Sequence, residues 1–490
     1  MYNGEGKKNT FSSTVFHYNN FAGIELRGSS SQGFPKKPYS IELRNDKGED
    51  NPFALCGFPV ESDYILFASY NEKSLMHNVF TMSLGRQMNM YSSRTKYVEV
   101  ILNDSYQGVY VLMEKVKVDK NRVNISDLST QDNTGDQITG GYIVKIDKGT
   151  GTSLGSFKSN YPNKYGKVSE YFYHAPKLIN TNQKAYIKNY IYAFESAINT
   201  VSPKDTLNGY RKFIDVKSFI KIFILNEISR NVDGYRISSY FHKDKDSKGG
   251  KLVAGPPWDY DISYGNADYC EGSRYDLWGY KFNDICNGDF WQVPGFWDKL
   301  IADPYFLNEL RAYWFKERKT GGILELSKLL KEVDAYALEL DEAQKRNFNQ
   351  WPILGKYVWP NPQPVPSNYA GEVLELKNWL KNRLTWIDQN MPEEFILLSS
   401  EPSIEKMTVT VFPNPFIDKL QLSIQNGKAE KATIQVINVL GKQLYLKSVN
   451  LQAGDNTLEI PFDVIATEQI FVKVIKNSGT VVMQKAIKLK

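Results

Sequence analysis

The sequence lacks the long runs that mark membrane-spanning and nucleic-acid-binding proteins. Its 490 residues contain no stretch of about eighteen apolar residues, so no transmembrane segment is predicted. No block of about five like charges occurs, and 60 basic against 55 acidic residues leave a net charge of only +5. This balance argues against a nucleic-acid partner. The N-terminal segment has no apolar core of the signal-peptide type.

Cysteine is also scarce, with Cys56, Cys270 and Cys286 as the whole set. Neither their number nor their spacing fits a zinc site. A polar loop lies between Cys270 and Cys286, and a disulfide that closed it would stabilise the fold by about 3 kcal/mol. Two buried thiols are the alternative interpretation.

The composition changes once along the chain. Every Trp lies at or before Trp386 and every Arg at or before Arg383, and no Cys or His follows Cys286. From Pro402 onward, short alternating strands are separated by Gly/Asn turns, which predicts a small β-sandwich. A chain of this length suggests two to four structural units. We expect few contacts between the part before this break and the part after it.

The part before this break divides into two halves. Strand patterns dominate up to about Asp147, interrupted by one helix that begins near Ser74. After a polar loop, helical patterns dominate, including one that Asp215 caps. A cleft between a β-rich half and a helical half is a typical place for a ligand.

The stretch "LRGSSSQGFPKKPYSIEL" has the composition of a phosphate-binding loop. Gly28 and the serines from Ser29 onward expose backbone N–H groups, and Arg27, Lys36 and Lys37 supply cations. A solvated hairpin with stray lysines would read the same way. The sequence leaves both interpretations open.

A second stretch, "GVYVLMEKVKVDKNRV", reads as a strand that ends at Met113–Glu114. The peptide edge of such a strand end can form hydrogen bonds with a nucleobase. A plain buried strand is the alternative.

The third stretch carries aspartates on two sides of a hairpin, "NVDGYRISSYFHKDKDSKGGKLVAGPPWDYD". Asp233 precedes the hairpin, and Asp259 and Asp261 follow it on one face of an extended run. One carboxylate can orient a hydroxyl group while another holds a divalent cation against phosphate oxygens. Aspartates in turns are more commonly caps, which is the alternative. We expect Asp233 and Asp259 to converge at the mouth of the cleft, with Lys36 or Lys37 opposite.

Together these stretches, with "SDYILFASYNEKSLMHNVF" and "WPILGKYVWPN", resemble the spore-coat-protein-H (CotH) kinases, a family of atypical bacterial protein kinases. The resemblance covers about Gly23 to Asn390. It implies an α+β fold, a diverged two-lobed kinase in residues 1–395, then a linker (396–406) and the sandwich (407–490).

The resemblance also implies roles for individual residues. Asp233 becomes the catalytic aspartate and Asp259 the metal ligand, assisted by Asp261 and by Ser238. Arg27, Ser29 and Lys36 or Lys37 are expected near the phosphates, and Met113–Glu114 at the hinge. ATP and Mg²⁺ (or Mn²⁺) are the implied cofactors.

Two positions depart from the family pattern. Protein kinases have a metal-binding Asn five residues after the catalytic Asp, where this chain has Ser238. The family's Arg-Asn pair in the early helix is His77–Asn78 here, and a histidine carries no permanent charge.

The tail, with Pro413-Asn414-Pro415-Phe416 and a Leu440-Gly441-Lys442 turn, resembles the C-terminal sorting domain of the type IX secretion system of Bacteroidota. The resemblance implies export to the outer surface or beyond, with the secretion machinery as a partner. It also implies an upstream signal peptide, so we expect that the natural protein begins before Met1. In an oxidising destination, Cys270 and Cys286 are expected to pair and Cys56 to stay free.

Three functions remain in competition. The first is a kinase that phosphorylates Ser or Thr of a protein outside the cytoplasm. The second is a catalytically impaired kinase fold that serves as a surface-binding or coat-structural module, which Ser238 and His77 favour. The third is a glycan-active enzyme with the aspartates as acid and base. The sequence does not indicate an oligomeric state.

Overall fold

The computed structural model describes residues 1, 9, 16–151, 153–201, 205, 207–392, 407–461, 469–477 and 481–489. The chain forms two compact units, Met1–Glu394 and Phe395–Lys490. The predicted linker, residues 396–406, lies outside the described residues.

The first sheet of the N-terminal unit is antiparallel, with the strand order β1-β2-β3-β5-β4. Asn103 and Asp104 form the two-residue turn between β4 and β5, and both have positive φ, as tight hairpin turns require. Helix α1, His77–Gln87, connects β3 to β4. The strands are β1 (Ala22–Leu26), β2 (Tyr39–Leu43), β3 (Asp63–Phe67), β4 (Thr95–Leu102) and β5 (Ser105–Glu114).

A second antiparallel sheet in the same unit has the order β10-β9-β6-β8-β7. Strand β6 lies between β8 and β9, although the sequence grouped it with the preceding strands. Its pairing is long-range, with Ile146 opposite Ser239 and Tyr142 opposite Lys243. The strands are β6 (Tyr142–Ile146), β7 (Ser156–Lys158), β8 (Glu170–Ala175), β9 (Ser239–Lys243) and β10 (Leu252–Ala254).

Helices cover this second sheet and build the main core of the unit. Asn180 caps α2 through a reciprocal capping box with Gln183, and the Asp215 side chain accepts from Ser218 N–H (2.7 Å) to cap α3. The helices are α2 (Thr181–Thr200), α3 (Val216–Ser229), α4 (Phe282–Ile285), α5 (Gly295–Ala302), α6 (Pro304–Arg318), α7 (Leu326–Glu339), α8 (Asp341–Gln350) and α9 (Tyr369–Asn390). No helix in the described part of the chain is both long and apolar enough to span a bilayer.

The C-terminal unit is a sandwich of two antiparallel sheets, ordered β11-β12-β15 and β14-β13-β16-β17. Alternate residues of its strands are buried, as the period-two pattern of β12 illustrates with Leu420, Leu422 and Ile424. The strands are β11 (Thr408–Phe412), β12 (Leu420–Asn426), β13 (Glu430–Asn438), β14 (Gln443–Leu451), β15 (Gly454–Ile460), β16 (Gln469–Lys476) and β17 (Val481–Ile487). The predicted α+β architecture with a terminal β-sandwich is confirmed.

Candidate functional site

A cleft of about 720 Å³ opens between the two sheets of the N-terminal unit. One wall comes from the first sheet and the loop that follows β1, and the other comes from β6, β9 and the segments that flank the β9–β10 hairpin. The predicted site residues that line it are Arg27, Ser29, Met113, Asp233, Ser238, Asp259 and Asp261.

Hydrogen bonds on both sides fix the segment that carries Asp259 and Asp261. Asn231 donates from Nδ2 to the Asp259 carbonyl (3.1 Å), and Tyr260 N–H donates to Asn78 Oδ1 (2.8 Å). The Asp261 carboxylate accepts from Asn71 Nδ2 (3.3 Å). Asp259 has a φ of 66°, a strained conformation for a non-glycine residue, and these contacts hold it there.

Burial and mutual repulsion make the aspartates of the cleft hard to ionise together. Burial, and then the charges of Asp261 and Asp233, raise the pKa of Asp259 well above its usual range. Burial, and then the charge of Asp233, raise the pKa of Asp261 to about 6. A divalent cation would relieve this repulsion.

Asp233 occupies a different environment. Burial raises its pKa, and Arg236, whose guanidinium lies 2.9 Å from Asp233 Oδ1, counteracts this effect. Arg236 also pairs with Asp289 (3.1 Å) and packs on the Phe282 ring. Gly234 permits the turn, because a Cβ there would lie 2.9 Å from the Asn231 carbonyl. Asp233 is therefore held in a fixed orientation by a buried cation.

Arg27 is the cation that the loop after β1 contributes to the cleft. Its guanidinium lies over the Trp258 ring, 5.7 Å from the centroid, and Gly28 follows with a φ of 95° that turns the chain. Burial lowers the pKa of Arg27, and Asp259 counteracts this effect. Ser29 approaches Thr150 Oγ1 (3.5 Å).

Ser238 and His77, the two residues that depart from the kinase pattern, both lie close to the segment that carries Asp259 and Asp261. Ser238 Oγ lies 3.5 Å from Asp259 Oδ2. The buried His77 ring lies 3.3 Å from the Asp261 carbonyl through Nδ1 and 3.6 Å from Glu72 Oε1 through Nε2. Burial lowers the pKa of His77, which favours its neutral form.

Three predicted nucleotide-binding residues do not line the cleft described here. Lys36 is buried and donates to the carbonyls of Ser69 (3.2 Å) and Val109 and to Asn347 Oδ1 (3.0 Å). Its half-buried neighbour Lys37 donates to the Gln32 carbonyl (2.6 Å).

The third, Glu114, is buried. Its carboxylate accepts from the backbone N–H of Arg94 and from the Arg94 guanidinium, at 2.9 and 2.8 Å. Met113, by contrast, does line the cleft.

Other residues line the cleft that the sequence did not indicate as site residues, among them Lys145 and Asp147. Asp147 directly follows β6, and Lys145 forms an ion pair with it (2.6 Å). The sequence feature that could have indicated Asp147 is the change from apolar to charged residues at the end of "GGYIVKID". It could not be used without knowing that β6 pairs with β9.

The donors around Asp259 suit a hard cation, because the carboxylates and the Ser238 hydroxyl offer oxygen atoms. Within the described residues, no three His, Cys, Asp or Glu side chains are grouped closely enough to hold a metal by themselves. Mg²⁺ commonly uses one or two protein carboxylates and completes its shell with phosphate oxygens and water. The site therefore fits a cation that takes one or two carboxylates of the cleft and completes its shell with other oxygen ligands.

A disulfide bond joins two cysteines that follow Asp261 in the sequence. It joins Cys270 to Cys286, with the Cα atoms 5.5 Å apart, while Cys56 is free. Asp289, the second partner of Arg236, follows three residues after Cys286. The disulfide thus anchors the segment from which Asp289 reaches Arg236.

Comparison with known families gives two matches. The model described as CotH kinase protein matches residues 24–387, and the model described as secretion system C-terminal sorting domain matches residues 410–489. No curated protein matches the chain. The second match indicates secretion through the type IX system to the cell surface or outside, with its machinery as a partner.

Proposed function

Because the chain belongs to the CotH kinase protein family, we propose that it is a protein kinase of the cell surface or exterior. It transfers the γ-phosphoryl group of ATP to a Ser or Thr hydroxyl of a protein outside the cytoplasm. The observation that carries this proposal is the meeting of Asp233, Asp259, Asp261 and Arg27 in one cleft.

Asp233 has the role of orienting the acceptor hydroxyl and accepting its proton. Its pairing with Arg236 limits the directions in which its carboxylate can point. Phosphoryl transfer depends mainly on positioning and electrostatic stabilisation, so a carboxylate with a fixed direction is the group that the reaction needs.

Asp259 and Asp261 have the role of holding Mg²⁺ or Mn²⁺. When bound, the cation supplies neutralisation of the charge that develops on the phosphate oxygens. The unusual backbone of Asp259, fixed by Asn231 and Asn78, directs its carboxylate into the cleft.

Arg27 and the backbone of the loop that begins at Gly28 have the role of binding phosphate. A guanidinium is suited to phosphate, and its contact with Trp258 keeps it beside Asp259. Met113, at the end of β5, has the role of contacting the nucleobase.

The test is a nucleotide-binding and autophosphorylation assay on the purified chain, with and without divalent metal. We expect binding of ATP that depends on Mg²⁺ or Mn²⁺, followed by incorporation of the γ-phosphate. Absence of metal-dependent nucleotide binding at millimolar ATP would refute the proposal.

A second candidate is a catalytically impaired kinase fold that acts as a surface-binding module. Ser238 favours it, because a neutral hydroxyl 3.5 Å from Asp259 replaces the amide ligand of protein kinases. Nucleotide binding without any phosphate transfer to the chain itself or to envelope proteins would favour this candidate.

A further inference from the structure

We propose that Asp147 is a cation-binding residue of this cleft and takes over the role of the amide ligand that Ser238 replaces. The inference rests on the proposed function, because the cation in question is the one that accompanies ATP. The resemblance to the CotH kinases implied no role for Asp147.

Ser238 links the two carboxylates concerned. Its backbone N–H donates to Asp147 Oδ1 (3.4 Å), and its hydroxyl lies 3.5 Å from Asp259 Oδ2. Asp147 and Asp259 therefore flank the residue at which a protein kinase carries its second metal ligand. Both carboxylates line the same cleft.

The topology of the second sheet places Asp147 there. The end of β6 lies beside the start of β9, because Ile146 pairs with Ser239. Asp147 follows Ile146, and Ser238 precedes Ser239, so the two residues extend from the same edge of the sheet. A carboxylate at the end of β6 must therefore lie next to the loop that carries Asp233 and Ser238.

An unsatisfied donor indicates that the cleft lacks a ligand oxygen. Asn78 is buried, with 3% of its surface exposed, and its Oδ1 accepts from Tyr260 N–H. Its Nδ2 has no acceptor in the described structure, although Asn78 lines the cleft. A buried amide donor without a partner is costly, and a phosphate oxygen bound with the cation would satisfy it.

Lys145 is the group that competes with a cation for Asp147. Its ammonium lies 2.6 Å from Asp147 Oδ2 and 5.9 Å from the centroid of the Tyr240 ring. When a cation binds Asp147, Lys145 becomes free to contact a phosphate oxygen. The pair therefore keeps the carboxylate oriented before the cation arrives.

The experiment measures Mn²⁺ binding to the full chain by electron paramagnetic resonance, without nucleotide. We expect Asp147→Asn to weaken Mn²⁺ binding at least about 10-fold, because the loss of even an outer-shell partner of a metal ligand typically costs about 10- to 100-fold. The matched control is Asp244→Asn. Asp244 directly follows β9 as Asp147 follows β6, but at the opposite end of the sheet, and we expect less than a twofold change.

A second variant tests whether an amide at position 238 can replace the carboxylate of Asp147. Ser238 has a φ of 51°, a conformation that Asn tolerates well, so Ser238→Asn can be introduced without new strain. In the Asp147→Asn background, Ser238→Asn should recover most of the lost Mn²⁺ affinity. No recovery would overturn the claim that Asp147 replaces the amide.

If Asp147→Asn does not fold, Lys145→Met/Asp147→Asn removes both partners of the ion pair and is compared with Lys145→Met alone. The inference is overturned if the wild type binds no Mn²⁺, or if the loss of Asp147 changes its affinity less than twofold. ATP binding by the wild type, measured separately with a fluorescent analogue in Mg²⁺, reports on the proposed function. A failure of either claim can therefore be recognised by itself.

Discussion

At the scale of single residues, Asp233 and Asp259 are expected to fail in different ways when replaced. Asp259→Ala removes the carboxylate that we propose as the principal cation ligand, so metal-dependent nucleotide binding should be lost. Asp233→Asn should leave the nucleotide Kd within about twofold and lower the rate of phosphate transfer about 10²- to 10⁴-fold, because orientation of the acceptor matters only in the transition state. Fluorescent-nucleotide titration and autophosphorylation rates measure the two effects.

Asp244→Asn is the control for both variants, since Asp244 lies at the far end of the second sheet. Equal nucleotide affinity in the wild type and in Asp259→Ala would contradict the assigned metal role. A transfer rate unchanged in Asp233→Asn would contradict the catalytic role.

Lys36 leads to a prediction about stability and pH. Burial lowers its pKa in the fold to about 7. The unfolded chain therefore binds more protons than the folded chain between about pH 7 and pH 10.5. The burial of Lys36 lowers the stability of the fold at the acid end of this window, and this unfavourable contribution shrinks as the pH rises. Lys36→Met lacks this contribution. The unfolding free energy of the wild type should therefore rise relative to that of Lys36→Met by about 1 kcal/mol per pH unit.

Chemical unfolding at about pH 7.5, 8.5 and 9.5 measures this difference. Lys37→Met is the matched control. Lys37 is next to Lys36 in the chain but only half-buried, and its ammonium donates to the Gln32 carbonyl alone in the described structure. A difference that stays constant with pH would show that Lys36 remains charged in the fold, held by its three acceptors.

Lys36 also shows what the sequence could not reveal. Its neighbours in the chain suggest a phosphate-binding loop, but one of its acceptors, Asn347, is 311 residues away on α8. Local spacing predicts a loop and its charges, whereas the direction of each side chain depends on which distant element packs against it. Asp233 and Asp259 were easier to identify, because both lie at the ends of one hairpin.

At the scale of elements, individual helices and strands could be predicted, but their partners could not. The helical spacing and the Asp215 cap fix α3 within a few residues. The pattern of β6 predicts a strand equally well, yet nothing in it specifies pairing with β8 and β9. Asp147 was missed for this reason, since its place in the cleft follows from that pairing alone.

The segment closed by the disulfide gives a prediction at the same scale. Cys270→Ser/Cys286→Ser should lower the free energy of unfolding by about 3 kcal/mol, because the unfolded chain gains the freedom of the opened loop. Every Trp lies at or before Trp386, so intrinsic tryptophan fluorescence during urea unfolding reports on the N-terminal unit. Cys56→Ser is the control for the loss of a thiol, and an equal effect of both changes would argue against the loop contribution.

At the scale of the whole molecule, the two family matches divide the chain into a part that belongs to the CotH kinase protein family and a C-terminal sorting domain. The cleft lies within Met1–Glu394, and the sorting-domain match begins at residue 410. A chain shortened to residues 1–395 should therefore keep the wild-type nucleotide affinity within about twofold. This limit corresponds to a change of about 0.4 kcal/mol in the free energy of binding. Its tryptophan-monitored unfolding midpoint should also be unchanged.

In cells, the same shortened chain should stay out of the medium and off the outer surface, because the type IX machinery acts on the sorting domain that it lacks. The complementary variant is full-length Asp259→Ala, which should be exported like the wild type while failing to bind nucleotide. Cell fractionation with immunodetection, combined with the nucleotide titration, separates the two properties. Export of the shortened chain would contradict the sorting role. Loss of nucleotide binding on shortening would show that the kinase-like unit needs the C-terminal unit, against the division proposed for residues 1–395 and 407–490.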